Sequence, residues 1–363
     1  MSRTTGILAD SDIRALFASG KLKSDAPLDS DQIQPASLDL RLGSKAYRIR
    51  ASFMPGPGTK VSEKLQRLSL HEIDLSEGAV LETGCVYIVP LMESLELPSD
   101  MSASANPKSS TGRLDIFTRV ITDGAQEFDK IAKGYHGPLY LEVSPRTFPI
   151  VARRGSRLSQ IRFRIGQSLL SDAEVLELHQ RETLVASETP NVAGGGIALS
   201  IDLNGFGPEK LIGYRGKHHT AVIDVDKKAA QDVDDFWEPL YARGRAELIL
   251  DPDEFYILVS REAVHVPPLY AAEMTPFDPL VGEFRVHYAG FFDPGFGHAG
   301  VGGAGSRAVL EVRSHEVPFI LEHGQIVGRL VYEHMLRAPE GLYGSGLGSN
   351  YQAQGLKLSK HFR

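Results

Sequence analysis

The sequence predicts a mainly β chain made of two tandem copies of one small distorted barrel or sandwich, with a few short helices. Three observations predict it. The 363-residue chain lines up with itself when shifted by 169 residues, so that Tyr87 falls on Tyr256, Pro98 on Pro267, Glu142 on Glu311, Pro149 on Pro318 and Gly155 on Gly324. Short runs with a strand's alternation, such as LYLEVS, QIRFRI, FYILVS and RLVYEHM, are separated by Gly, Pro, Asp and Asn turns. Helical periodicity is scarce.

In chain order, DSDIRALFASGKL reads as a helix capped by Asp10 or Ser11, with Ile13, Leu16 and Phe17 on one face. ASLDLRLG (Ala36 to Gly43) is echoed at a slightly different offset by ALSIDLNG (Ala198 to Gly205). CVYIVP meets EFYILV, and the ordinary reading of SSTGRL is a solvated turn capping a helix. The polar, Gly-rich stretch from Ala186 to Gly196 is the expected seam, giving domains 1–185 and 197–363. KKAAQDVDDFWEPLYARG is a second helix candidate, YAGFFDPGFGHAG a hairpin arm with a tight D-P-G turn, and HEVPFILEH a strand.

Composition excludes several classes. Hydrophobic content of 42%, charged content of 23% and a net charge of −7 describe a globular chain, not a basic nucleic-acid binder. The single cysteine, Cys85, forms no internal disulfide and no thiolate zinc cluster, and the 12 histidines show no metal-ligand spacing. No apolar run has the length of a membrane span, and the N-terminus lacks a signal-peptide core, so the cytoplasm is the expected location. GVGGAG (Gly300 to Gly305) matches the dinucleotide fingerprint literally. A strand follows it where that fingerprint needs a helix, so it reads as a hairpin tip.

Two stretches carry chemistry. NPKSSTGRLD gathers Lys108, Ser109, Ser110 and Arg113, whose hydroxyls and forked guanidinium suit phosphate oxygens; a solvated turn is the ordinary alternative. In the second copy Asp278, Pro279 and Gly282 stand at the registers of Ser109, Ser110 and Arg113, so that copy repels phosphate. The arm around Ala289, Gly290 and Asp293 offers a backbone edge and aromatic rings to a planar base, whereas the first copy's counterpart is longer and more charged. Each copy also sets one glutamate, Glu142 or Glu311, inside an apolar strand, where an unpaired charge costs several kcal/mol.

Together these residues resemble the dCTP deaminase branch of the trimeric dUTPase superfamily. GILADSDIRAL is similar to its opening, QPASLDLRLG to its first motif, KSSTGRL to its serine–arginine phosphate motif, AGFFDPGFG followed by VLEV to its base hairpin and glutamate strand, and YGSGLGSNYQAQG to its C-terminal lid. The resemblance implies two dUTPase-like distorted β-barrel, jelly-roll-like domains and homotrimers with active sites between neighbouring barrels. It implies hydrolytic deamination of dCTP to dUTP and ammonia in pyrimidine deoxynucleotide metabolism, supplying dUTP and thence dTTP. Magnesium would come with the substrate triphosphate, with no protein metal ligand and no zinc. Some members also cut dUTP to dUMP. Substrate contacts would come from Lys108, Ser109, Ser110, Arg113, Ala289, Gly290 and Asp293, and from Tyr351, Gln352 and Gln354 of the lid. The chain departs from the family in its fusion, in dividing the motifs between copies, and in reading Asn350-Tyr351-Gln352 where the family lid has Lys-Tyr-Gln.

Deamination needs a proton taken from water and one delivered to the departing amine. The zinc deaminase signature H-x-E…P-C-x-x-C does not fit a chain with one cysteine, which leaves a glutamate to shuttle the proton. A composite site favours Glu311 beside the first copy's Arg113; Glu142, which shares a copy with the serines, is the alternative. A dUTP diphosphatase using Asp293, a bifunctional deaminase, and a non-catalytic nucleotide-binding protein are the competing functions.

Overall fold

The computed structural model describes residues 3–187, 189–276, 284–286, 290–299, 305–314, 316–344 and 355–363. It is mostly β, and the two copies repeat one strand order. In the first copy, Met101–Pro107, Ser159–Ile165 and Ser37–Leu40 lie side by side; in the second, Tyr270–Pro276, Ile326–His334 and Gly196–Ser200 do so. The opposing sheet orders Ile116–Thr122, His136–Pro145, Val86–Glu96 and Lys45–Ile49. It is answered by Phe284–Val286, Ser306–Ser314, Phe255–Val264 and Leu211–Gly216.

Register and bonding repeat as well. Glu142 pairs with Ile88, and Glu311 with Ile257. The hydroxyls of Tyr87 and Tyr256 each accept a backbone N–H from five residues earlier, Glu82 and Asp251, both at 3.0 Å. Gly155 and Gly324 take φ of +89° and +83°, the left-handed region that glycine enters without a Cβ clash.

Alternation along the strands sends one set of side chains between the sheets. Leu38, Leu40, Ala103, Ile161 and Phe163 meet Val89, Leu91, Leu139, Leu141 and Val143 in the first core. Leu199, Ala272, Leu330 and Tyr332 meet Leu258, Leu310 and Val312 in the second. The first core also takes in second-copy side chains. Trp237, fully buried, packs edge-on against Phe148 with ring centroids 5.2 Å apart. Strand Ile223–Asp224 adds in parallel to Ile150–Ala152, where Arg153 pairs with Asp224 and Asp226. The copies are therefore welded by sheet, aromatic and ionic contacts.

Five helices are described: α1 (Asp10–Ala18), α2 (Val61–Leu68), α3 (Ser109–Gly112), α4 (Asp172–Glu182) and α5 (Val233–Phe236). Helix α1 is capped differently from the expectation. Ala9 is its N-cap, Asp12 accepts the Ala9 N–H at 3.1 Å, and Asp10 accepts from Glu340 N–H at 2.9 Å. The second helix candidate shrinks to α5, and Trp237–Tyr241 turns into a strand beside Leu211–Gly216, because Phe236 and Trp237 are drawn together into the core between the copies. Helix α4 was not anticipated. Its signal is a capping box: Ser171 N–H donates to Glu174 at 2.8 Å and Ser171 Oγ accepts from Glu174 N–H at 3.3 Å. No described helix is long and apolar enough to cross a membrane.

Candidate active site between the two copies

The one-turn helix α3 begins after Lys108, which is extended (ψ 146°), and ends at Arg113. Its backbone is fixed by Thr111 and Gly112 N–H groups donating to Lys108 C=O and by Arg113 N–H donating to Ser109 C=O. Ser110 and Arg113 are buried. The C-terminal segment lies over them: Ser359 Oγ donates to Ser110 C=O at 2.9 Å, and Arg113 Nη1 donates to Lys357 C=O at 3.0 Å. That segment is itself tethered through Ala229 and Ala230 N–H groups, which donate to the carbonyls of Lys360 and His361.

Facing α3 is strand Ser306–Ser314 of the second copy. Residues two apart on a strand share a face, so Glu311 and Arg313 point the same way. Glu311 Oε1 lies 3.8 Å from Arg113 Nε, an ion-pair distance beyond a direct hydrogen bond. Arg313 forms a buried ion pair with Asp115, which also accepts from Thr147 Oγ1 at 2.6 Å. Asp115 holds φ +54° to present its carboxylate there. Burial pushes the Glu311 carboxyl up to about 8, against the pull of Arg113.

The Lys108 ammonium pairs with Asp39, a buried residue of the ASLDLRLG stretch, whose Oδ1 has no hydrogen-bond partner among the described residues. Asp293 lies in the same neighbourhood. Burial raises its carboxyl above the ordinary range, while Arg162 and then Lys108 pull it back. Arg162, fully buried, donates to Asp293 Oδ1 at 3.1 Å and to Ala272 C=O at 3.0 Å and stacks 4.0 Å over Phe291. The hairpin expected here is not formed across the D-P-G turn among the described residues: Phe291–Phe292 pairs instead with Tyr270–Pro276, and Gly290 before it accepts from Met274 N–H at 3.2 Å. Lys360 is a further cation, pushed down to about 8 by burial and by the charges of Lys108 and Lys228.

The structure thus brings Arg113 and Glu311 together from opposite copies, with Lys108, Asp293 and Gly290 on the surrounding elements. Glu142 stands elsewhere in the bonding pattern. It sits opposite Arg119 in its own sheet and accepts from Arg119 Nη2 at 2.6 Å and from Ser52 Oγ at 2.5 Å. Arg119 in turn stacks 3.5 Å over Phe128. Ala289, Tyr351, Gln352 and Gln354 lie outside the described residues, as does most of GVGGAG. Sequence reasoning passed over Arg162, Asp115, Arg313, Asp39 and Lys360. Arg162 had a signal: Gln160, Arg162 and Arg164 put polar groups on one face of a strand, a face that meets the other copy and not water.

Comparison with known proteins fits this geometry. Two family profiles match the chain: the 2′-deoxycytidine 5′-triphosphate deaminase (DCD) N-terminal domain over residues 4–167 and its C-terminal domain over residues 171–362. A dCTP deaminase of Natronomonas pharaonis is 34% identical over 164 residues, 43% of this chain and 79% of its own length. A dUMP-forming dCTP deaminase of Beutenbergia cavernae is 32% identical over 158 residues, 43% of this chain and 78% of its own. The crystal structure of 2′-deoxycytidine 5′-triphosphate deaminase from Agrobacterium tumefaciens is 84% identical, with a TM-score of 0.91 over 95% of this chain and all of that one.

Proposed function

Because the chain belongs to the 2′-deoxycytidine 5′-triphosphate deaminase family, we propose that it hydrolyses dCTP to dUTP and ammonia where its two copies meet, with Glu311 as general acid and base. The observation that carries this reading is the approach of a buried, protonatable carboxyl to a guanidinium from the other copy, 3.8 Å away. Residues 1–185 supply the phosphate motif, and residues 197–363 supply the base hairpin, the glutamate and the lid.

In this mechanism Lys108, Ser109, Ser110 and Arg113 hold the triphosphate, backbone groups at Ala289 and Gly290 meet the base, Asp293 bounds the substrate, and Tyr351, Gln352 and Gln354 close over it. Glu311 takes a proton from water as the oxygen attacks C4, and passes it to N3. The tetrahedral centre then collapses. Glu311 takes the proton of the new C4 hydroxyl and hands it to the amino group, so the C4–N bond breaks, ammonia leaves and the C4 carbonyl forms. No zinc is required at the reacting carbon, because the carboxyl performs the transfers a metal-bound water would share. Magnesium enters with the substrate, chelated by its phosphates. The donors around α3 suit that arrangement: they are hydroxyls and cations, and the nearby carboxylates Asp39 and Asp293 are engaged by Lys108 and Arg162. The product would feed the supply of dUTP and dTTP.

Incubation with dCTP and magnesium, followed by chromatography and an ammonia assay, tests the reading. Ammonia with dUTP supports it, and tight dCTP binding without ammonia sinks it in favour of a nucleotide-binding protein. Ammonia with dUMP and pyrophosphate would extend it to a bifunctional enzyme, which the name of the Beutenbergia relative favours.

Arg113→Ala should weaken dCTP binding far more than deoxycytidine binding, since a charge-assisted hydrogen bond contributes about 1.5–3 kcal/mol. Calorimetric titration with both ligands decides; equal losses would remove α3 from the phosphate site. The homotrimer expected from the family resemblance is a further part of the proposal. Light scattering on active protein should give three times the chain mass, and a fully active monomer would count against it.

A further inference from the structure

The sequence shows no metal spacing, yet the fold gathers three ligand-bearing side chains from separate segments. Glu182 ends α4, His265 follows strand Phe255–Val264, and His298 lies just beyond the D-P-G turn of the base hairpin. One ligand atom from each lies within 4.8 Å of the others. The two imidazole rings have centroids 4.7 Å apart. We propose that Glu182, His265 and His298 bind one divalent transition-metal ion of the zinc class, which pins the root of the base hairpin to the end of α4.

The hydrogen bonding of His265 favours this role. Its Nδ1 lies 2.9 Å from Glu182 C=O, an acceptor, so Nδ1 carries the proton and Nε2 presents a lone pair. Nε2 is buried without a hydrogen-bond partner among the described residues. Metal-bound histidines characteristically donate their other ring N–H to a backbone carbonyl or carboxylate, which fixes tautomer and ring orientation. Two imidazoles and one carboxylate suit zinc better than magnesium or calcium, which prefer all-oxygen shells. Ligand atoms held tetrahedrally at about 2.0–2.1 Å from zinc sit roughly 3.3 Å apart, so from within 4.8 Å the side chains close by at most about 1.5 Å, a side-chain rotation. The surrounding backbone is already fixed: His265 N–H donates to Leu184 C=O, Val266 N–H to Phe296 C=O, and His298 N–H to Gly295 C=O. These ligands include none of the residues assigned to dCTP, so the ion would be structural.

The test uses full-length, tag-free protein stripped with EDTA and titrated calorimetrically with zinc chloride. One zinc per chain is expected, with a higher melting temperature on loading. His298→Ala and His265→Ala should each weaken binding by more than about tenfold, since even an outer-shell partner is worth 10–100-fold. His218→Ala, at an exposed histidine elsewhere, should change nothing. Should an alanine variant fail to fold, anomalous diffraction at the zinc edge from soaked wild-type crystals replaces it, with a peak expected among the three side chains. No stoichiometric uptake, unchanged binding by His298→Ala, or a peak elsewhere would overturn the proposal.

Discussion

Glu311→Gln is expected to slow deamination by roughly 10²–10⁴-fold, the usual contribution of a general acid–base group, while dCTP affinity changes little. Glutamine keeps the size of the side chain and loses the transferable proton. The binding residues named for the triphosphate are on the other copy and stay in place. Glu142→Gln should retain turnover, since its carboxylate is held by Arg119 and Ser52 within its own copy; its effect should appear in the melting temperature. An inactive Glu142→Gln beside an active Glu311→Gln would overturn the composite site.

The pH dependence adds a second readout. Burial pushes Glu311 up to about 8, so the carboxylate that accepts the water proton grows in as pH rises. For the wild type, kcat/KM should climb through pH 6 to 8 and level off above. Stability runs the other way. The folded state keeps a proton that the unfolded chain releases near its ordinary value of 4.5. The favourable contribution is therefore present below about pH 4.5 and is lost as pH rises towards 8. Glu311→Gln should flatten that slope and melt above the wild type at pH 8, with the gap closing near pH 5. A wild-type rate profile that is flat between pH 6 and 8 would argue against Glu311 as the base.

Arg162→Ala should destabilise the fold by about 3–5 kcal/mol, the range for breaking one partner out of a buried ion pair. The guanidinium is fully buried and serves Asp293, the Ala272 carbonyl and the Phe291 ring at once. Without it, Asp293 is left in the interior beside Asp39, a like charge that already opposes its ionisation. Urea unfolding measures the loss, and a change below about 1 kcal/mol would show that the network is slack. Pairing Arg162→Met with Asp293→Asn should recover part of the stability by removing both charges, yet it should not restore dCTP binding if Asp293 bounds the substrate.

Much of this architecture is legible in the chain. The repeat is visible because both copies keep the same prolines, glycines and buried tyrosine, which fix turns and register in each. The two glutamates stand out because a carboxylate interrupts an apolar strand, and the divided motifs favour a partner in the other copy for the first copy's arginine, with Glu142 as the alternative. What escapes is the surface the copies share. In Ser159–Ile165 the alternation marks Gln160, Arg162 and Arg164 as one polar face, but the same pattern fits a face in water, and the packing of the other copy decides that Arg162 is enclosed. The helix expected around Phe236 and Trp237 fails for the same reason: those rings are claimed by Phe148 of the other copy. Lys360 and Ser359 reach α3 through a C-terminal path that no local pattern announces.

The Asp115–Arg313 pair has a consequence for how such a chain can change. Two residues before its two members stand Arg113 and Glu311, so the proposed chemistry sits on a contact between unlike partners joined by one backbone. A ring of identical single-copy subunits presents both halves of every contact on each subunit, and a substitution strikes every site at once. Here the two copies are written separately in the gene. In the aligned sequence Asp278 stands at the register of Ser109 and Gly282 at that of Arg113, while Arg113 itself, which meets Glu311, is kept in the first copy.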